Sequence, residues 1–221
     1  MTIQLSQISF PEISLSTRFA HKLRGYFGDV FREHSPLLHN HYDDGSLRYR
    51  YPLVQYKIID RVPVLVGLQE GAKLLAELFF QIQTIKLEGR VYPVMERDIS
   101  YKQCPVGIGD ALNDYRFDTD WMALNQENYS HYLHADAAEQ QQLLGSILTG
   151  NILSFYKGVD LFLPKEQRIM VKIRPKAEKS TLFRDNRMIT FSGEFTTNAL
   201  LPNGIGLGKN VSRGFGAIRA V

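Results

Sequence analysis

The sequence predicts an α+β fold of two tandem βαββαβ units, the second degenerate and carrying a glycine-rich loop near its end. Three observations predict it. Along residues 1–95, extended apolar runs and helix-period segments follow one another as strand, helix, strand, strand, helix, strand. The second half repeats part of that order with one long amphipathic segment and several β-rich runs. Where a second helix would belong, residues 204–216 hold five glycines in thirteen positions.

Residues 3–13 mix Ile3, Leu5, Ile8, Phe10 and Ile13 with polar residues, as a first strand does. Ser14 to Thr17 offers N-cap oxygens, and Phe19, Leu23, Tyr26/Phe27 and Val30/Phe31 recur at helical spacing, predicting a helix over 17–33. Residues 34–45 are polar and turn-rich. Leu47 to Ile59 is rich in β-formers, and Asp60 to Pro63 turns the chain into a further strand at Val64–Gly67. Ala72 to Ile82 reads as a second helix and Thr84 to Met95 as a last strand. This order is the ferredoxin-like pattern, with two helices on one face of an antiparallel sheet. Residues 1–98 are therefore read as one domain, and residues 99–113, with Pro105, Gly107 and Gly109, as a linker. In 114–221 the pattern predicts strands at 115–124, 168–174, 188–195 and 215–221, and a helix over 137–156 that buries Leu143, Leu144, Ile147, Leu148 and Ile152.

An apolar fraction of 44% suffices for a sizeable core. No apolar run approaches the roughly 20 residues that span a bilayer. The N-terminus lacks the basic and apolar regions of a secretory leader, so a cytoplasmic protein is expected. Cys104 is the single cysteine, which excludes an intrachain disulfide and a thiolate-rich metal site. The charge is uneven: residues 165–221 hold 11 Lys/Arg against 4 Asp/Glu, and residues 1–164 hold 15 against 19. A basic C-terminal quarter suggests a polyanion site, or else a solvated basic surface.

The glycine loop reads Gly204-Ile-Gly206-Leu-Gly208-Lys209-Asn-Val-Ser-Arg213-Gly214-Phe-Gly216. Glycine lets backbone N–H groups approach a ligand, and successive N–H groups form an anion-binding nest. Lys209 and Arg213 add charge, so a phosphate-bearing ligand is expected. A dinucleotide site would need the glycines between a strand and a helix, and a P-loop would need Ser or Thr where Asn210 stands. Both nucleotide readings fail on context.

His39 and His41 stand two residues apart in a polar segment, so in an extended chain they share one side, about 6–7 Å apart. Arg48 and Arg50 follow, interleaved with Tyr42, Tyr49, Tyr51 and Tyr56, a surface suited to unpaired RNA. RNA supplies its own nucleophile, the 2′-hydroxyl. One imidazole can take its proton and another can protonate the departing 5′ oxygen, giving a 2′,3′-cyclic phosphate and a 5′-hydroxyl. This chemistry requires no metal and no cofactor. Zinc at His39 and His41 would need Asp43, Asp44 or His34 as well, in a spacing that matches no familiar site.

Gly204-x-Gly206-x-Gly208 followed by Arg213-Gly214-Phe215-Gly216 resembles the glycine-rich loop of the RAMP superfamily, CRISPR-associated RNA-binding proteins built from ferredoxin-like units. Arg24-Gly-Tyr-Phe-Gly28, Leu38-His39-Asn-His41, Tyr49-Arg-Tyr-Pro-Leu-Val-Gln-Tyr-Lys57 and Val66-Gly-Leu-Gln-Glu-Gly71 are similar to the b-type subgroup of CRISPR repeat-cleaving endoribonucleases, the Cas six family. The resemblance implies an endoribonuclease acting on CRISPR repeat RNA in precursor transcripts, with His39 and His41 catalytic and Tyr49, or equally Tyr51, assisting. It implies RNA contacts at Arg48, Arg50, Gly204, Gly206, Gly208, Lys209, Arg213, Gly214 and Gly216, and makes Lys22 and Lys57 candidates for phosphate contacts. Effector-complex subunits are implied as further partners, and a homodimer is neither demanded nor forbidden. A non-catalytic crRNA-binding subunit would carry the same loop, and a docking surface for an acidic protein would carry the same charge.

Overall fold

The computed structural model describes residues 1–31, 51–183 and 186–221. The chain forms two compact units, one of residues 1–105 with Val211–Gly214, the other of residues 106–210 with 215–221.

In the first unit, strand β1 (Thr2–Ser9) leads through a short 3₁₀ turn, Thr17–Phe19, into helix α1 (Ala20–Val30). Strands β2 (Val54–Ile59) and β3 (Val62–Leu68) form a hairpin whose two turn residues, Asp60 and Arg61, both have positive φ. That is the turn whose twist matches a two-residue hairpin. Helix α2 (Glu70–Leu78) ends in a 3₁₀ turn, Phe79–Gln81. In β1 and β3, Ile8 pairs with Leu65 on one face and Leu5 with Leu68 on the other, and all four are buried. Ile8, Leu23, Phe27, Tyr56, Leu65, Leu75 and Leu78 share one core beneath α1 and α2.

The last strand of this unit is not the one expected. Residues 84–95 form a separate hairpin of β4 (Thr84–Leu87) and β5 (Arg90–Pro93). The fourth strand of the main sheet is β6 (Asp98–Pro105), within the stretch read as a linker. The sheet order is β2-β3-β1-β6, and β6 pairs antiparallel with β1 from Thr2↔Pro105 to Ser9↔Asp98. As an edge strand β6 buries only Cys104, so it lacks the apolar alternation that marks a strand in sequence. Backbone pairing with β1 holds it instead. The linker reading is thereby corrected: residues 98–105 close one sheet and β7 (Gly107–Phe117) belongs to the next.

The second unit carries helices α3 (Gln126–His134) and α4 (Ala137–Gly158), then the long hairpin of β8 (Val171–Phe183) and β9 (Asn186–Leu200), and last β10 (Ile218–Ala220). Its sheet order is β10-β7-β9-β8. A capping box starts α4, with Asp136 accepting from Ala138 and Glu139 and the Glu139 side chain returning to Asp136 N–H. Leu144, Leu148, Ile152, Phe155 and Tyr156 form its buried stripe, while Leu143 and Ile147 flank it half-buried. The sequence reading missed α3. The glycine-rich segment stands where a second helix of a βαββαβ unit would stand, between β9 and β10.

Two glycines let α2 seat against the sheet. A Cβ on Gly71 would lie 2.3 Å from the Leu53 carbonyl oxygen, and one on Gly67 would lie 2.4 Å from that of Gly71. Val66-Gly-Leu-Gln-Glu-Gly71 is thus a packing motif at the β3–α2 junction. Gly71→Ala should cost about 1–3 kcal/mol by overpacking, read as a lowered urea midpoint with an unchanged m-value.

Candidate nucleic-acid interface

Of the residues expected to meet RNA, His39, His41, Arg48, Tyr49 and Arg50 lie outside the described residues, as do His34, Tyr42, Asp43 and Asp44. The remainder of the candidate site is the glycine loop and the surface of the first unit that receives part of it.

The loop is a narrow hairpin rather than an open nest. Gly204 N–H donates to the Ile218 carbonyl at 2.7 Å, Ile218 N–H to that of Ile205 at 3.0 Å, and Leu207 N–H to that of Gly216 at 2.9 Å. Gly206 bridges Ala217. Gly216 N–H donates to the Asp120 carbonyl and Lys209 N–H to that of Met122, each at 2.9 Å. Tyr115 anchors the base of the loop by accepting from Leu201 N–H at 3.0 Å.

Gly204, Gly206 and Gly216 are buried. The N–H groups of Gly204 and Gly216 are spent inside the protein. A Cβ on Gly216 would fall 1.9 Å from the Leu207 carbonyl oxygen, and its φ of 65° suits glycine. Gly208 has φ of 94°, and a Cβ there would meet Trp121 Nε1 at 2.6 Å. Trp121 is fully buried, stacked on Phe117 with centroids 5.2 Å apart, and donates to Asn151 at 3.1 Å. The sequence held a signal for this. Ile205 and Leu207 alternate with the glycines, and both are fully buried. The solvent-reaching part of the loop is the tip, where Lys209 is exposed and Gly208, Arg213 and Gly214 are half-buried.

The tip includes a 3₁₀ turn, Val211–Arg213, that together with Gly214 belongs to the first unit. Gly214 lies against α1, where a Cβ would be 2.4 Å from that of Ala20. Beneath the turn Lys57, fully buried on β2, donates from Nζ to the Val211 carbonyl at 2.7 Å. Lys57 is therefore not a phosphate contact, and that expectation is corrected. Burial lowers its pKa from 10.5 to about 7. Tyr56 beside it is also a core residue, stacked on Phe27 with centroids 5.9 Å apart, and not a platform for RNA bases.

Cations gather where α1 begins. Arg18 and Lys22 lie 5.2 and 5.3 Å from the centroid of Phe19, and Lys22 pairs with Glu88. His21 is held below the ordinary imidazole value, first by burial and then by the charges of Lys22 and Arg213, against a backbone hydrogen bond to Arg18 that raises it.

The basic C-terminal quarter is less basic in space than in sequence. Arg174 pairs with Asp114 and Lys179 with Asp120, each at 2.8 Å, Arg219 pairs with Asp118 at 2.9 Å, and Lys176 with Glu194. The Thr196 hydroxyl and then Arg174 hold the Asp114 carboxyl below its usual range. Three of these four carboxylates come from β7 and the residues just after it, outside the basic window. Among the described residues no carboxylate pairs with Lys209. Among the described residues no group of three or more His, Cys, Asp or Glu could hold a metal ion, and no helix is long and apolar enough to cross a membrane.

Between pH about 7 and 10.5 the unfolded chain binds a proton that buried Lys57 does not, so Lys57 makes stability rise with pH across that window. Lys57→Met should flatten this part of the profile, read as a smaller difference between urea midpoints at pH about 6 and about 9.

The whole chain matches known proteins. Residues 1–104 match the Cas6b N-terminal domain and residues 107–221 the Cas6b C-terminal domain. A crystal structure of Cas6b is 34% identical with TM-score 0.93, and a crystal structure of the CRISPR RNA processing endoribonuclease Cas6b is 33% identical with TM-score 0.80; each match covers 100% of both chains. An uncharacterized protein of Methanocaldococcus jannaschii is 33% identical over 144 residues, 65% of this chain and 97% of its own length. With both domains matched in order along nearly every residue, the chain belongs to the Cas6b family.

Proposed function

We propose that this protein is an endoribonuclease that cuts CRISPR precursor RNA within its repeats, without a metal ion. The observation that carries this reading is the full-length likeness to a structure solved as a CRISPR RNA processing endoribonuclease, at 33% identity. The loop tip supplies the phosphate contacts, with Lys209 and Arg213 bringing charge and Gly208 and Gly214 beside them. Arg48 and Arg50, with Tyr49, serve the unpaired bases and phosphates next to the cut.

His39 and His41 drive the reaction. One imidazole removes the proton of the 2′-hydroxyl as that oxygen bonds to phosphorus. The P–O5′ bond breaks, and the second imidazole, protonated beforehand, gives its proton to the 5′ oxygen. The products are a 2′,3′-cyclic phosphate and a 5′-hydroxyl, with no net change in redox state. Each proton transfer contributes roughly 10²–10⁴-fold. A metal-bound nucleophile is unnecessary because the attacking oxygen is already part of the substrate and held next to the phosphorus.

Purified protein should cut a labelled repeat RNA in EDTA. His39→Ala and His41→Ala should each slow cutting by about 100-fold or more while RNA affinity changes little. A 2′-deoxy substitution at the cut site should abolish cutting but not binding. Tight binding without cutting by the wild type would make the protein a crRNA-binding subunit instead. Cutting that needs added metal would overturn the mechanism. Arg213→Ala and Lys209→Ala should weaken binding about tenfold each and make its salt dependence shallower by about 0.7 in logarithmic slope.

A further inference from the structure

A fully buried lysine is an odd choice for β2. The amine loses its hydration, and a leucine or methionine would fill the same volume without that cost. The position holds 0% exposure although β2 is an edge strand of its sheet. The amine donates to the Val211 carbonyl at 2.7 Å, 154 residues away in sequence. Val211 opens the 3₁₀ turn of the glycine loop, and the two cations of the tip, Lys209 and Arg213, stand two residues to either side of it.

The turn needs such a partner. Glycines at 208 and 214 bound it, and neither has a side chain with which to hold its backbone. Apolar contact of Val211 with its surroundings fixes depth but not the rotation of the peptide plane, because the hydrophobic effect has no direction. A hydrogen bond to the carbonyl does fix that plane. A neutral amine keeps two N–H donors, so the hydrogen bond outlasts deprotonation although the ammonium makes the stronger one.

We infer that Lys57 is a positioning residue for RNA binding, its amine locking the Val211 peptide so that Arg213 meets the phosphate in one fixed orientation. This rests on the reading of the loop tip as the RNA contact. Lys57 touches no RNA itself and acts through the loop.

Two measurements on Lys57→Met test it. The first needs no RNA: amide hydrogen exchange of the free protein. The amides of residues 211–214 should exchange about tenfold faster than in the wild type, with those of β1 and β3 unchanged. Unchanged exchange at 211–214, or faster exchange throughout the unit, overturns the anchor. The second is affinity for a repeat RNA carrying 2′-deoxyribose at the cut site, in a double-mutant cycle with Arg213→Ala. Lys57→Met should weaken binding about tenfold in the wild-type background and less than about threefold in the Arg213→Ala background. Equal weakening in both backgrounds overturns action through Arg213. Should Arg213→Ala leave the affinity intact, the reading of the loop tip fails, and the exchange result still decides the anchor.

Discussion

Backbone must pass against backbone at the points that matter most in this protein, and that constraint governs the rest. At the β3–α2 junction the Leu53 carbonyl occupies the space a Gly71 side chain would need. At the loop, Leu207 does the same to Gly216, and the Trp121 ring does it to Gly208. Close-packed interiors tolerate no extra methyl at such distances. The glycines of residues 204–216 are therefore of two kinds. Those in the legs allow a buried hairpin to close, and Gly208 and Gly214 let the backbone pass close to Trp121 and to Ala20.

The same division separates buried from exposed polar groups. Inside, Gly204, Leu207, Gly216 and Ile218 donate to carbonyls of the loop or of the residues it packs on, as buried amides must. The exposed cation of the loop is Lys209, at the tip. The ion pairs along β7, β8 and β9 fit this picture, since they neutralise charge that would otherwise attract any polyanion without selection. Exposed pairs of that kind add little to stability. Their effect is on where the positive potential lies.

Lys57 sits at the meeting of these two arrangements. It is a cationic residue type used where no ion can reach it, with its amine turned to a carbonyl of the loop. Its lowered pKa follows from burial alone, whereas that of His21 combines burial with the neighbouring charges of Lys22 and Arg213.

Much of this was legible in the sequence. Periodicity located α1, α2 and α4 and the β2–β3 hairpin, because burying one face of a helix or strand leaves a 3.6- or 2-residue trace. The family was legible too, from the glycine-rich C-terminal segment and the short motifs of the N-terminal half that resemble it. Strand β6 left no trace, since an edge strand held by backbone pairing imposes almost nothing on its side chains. Helix α3 buries only Tyr132 and is likewise silent. Which glycines face solvent, which lysine is buried and which arginines are already paired were decided by tertiary structure alone. Each depends on a partner far along the chain: Lys57 on Val211, Gly208 on Trp121, Arg174 on Asp114. A residue's type records what it is able to do, and the groups that the fold brings within a few ångströms determine which of those things it does.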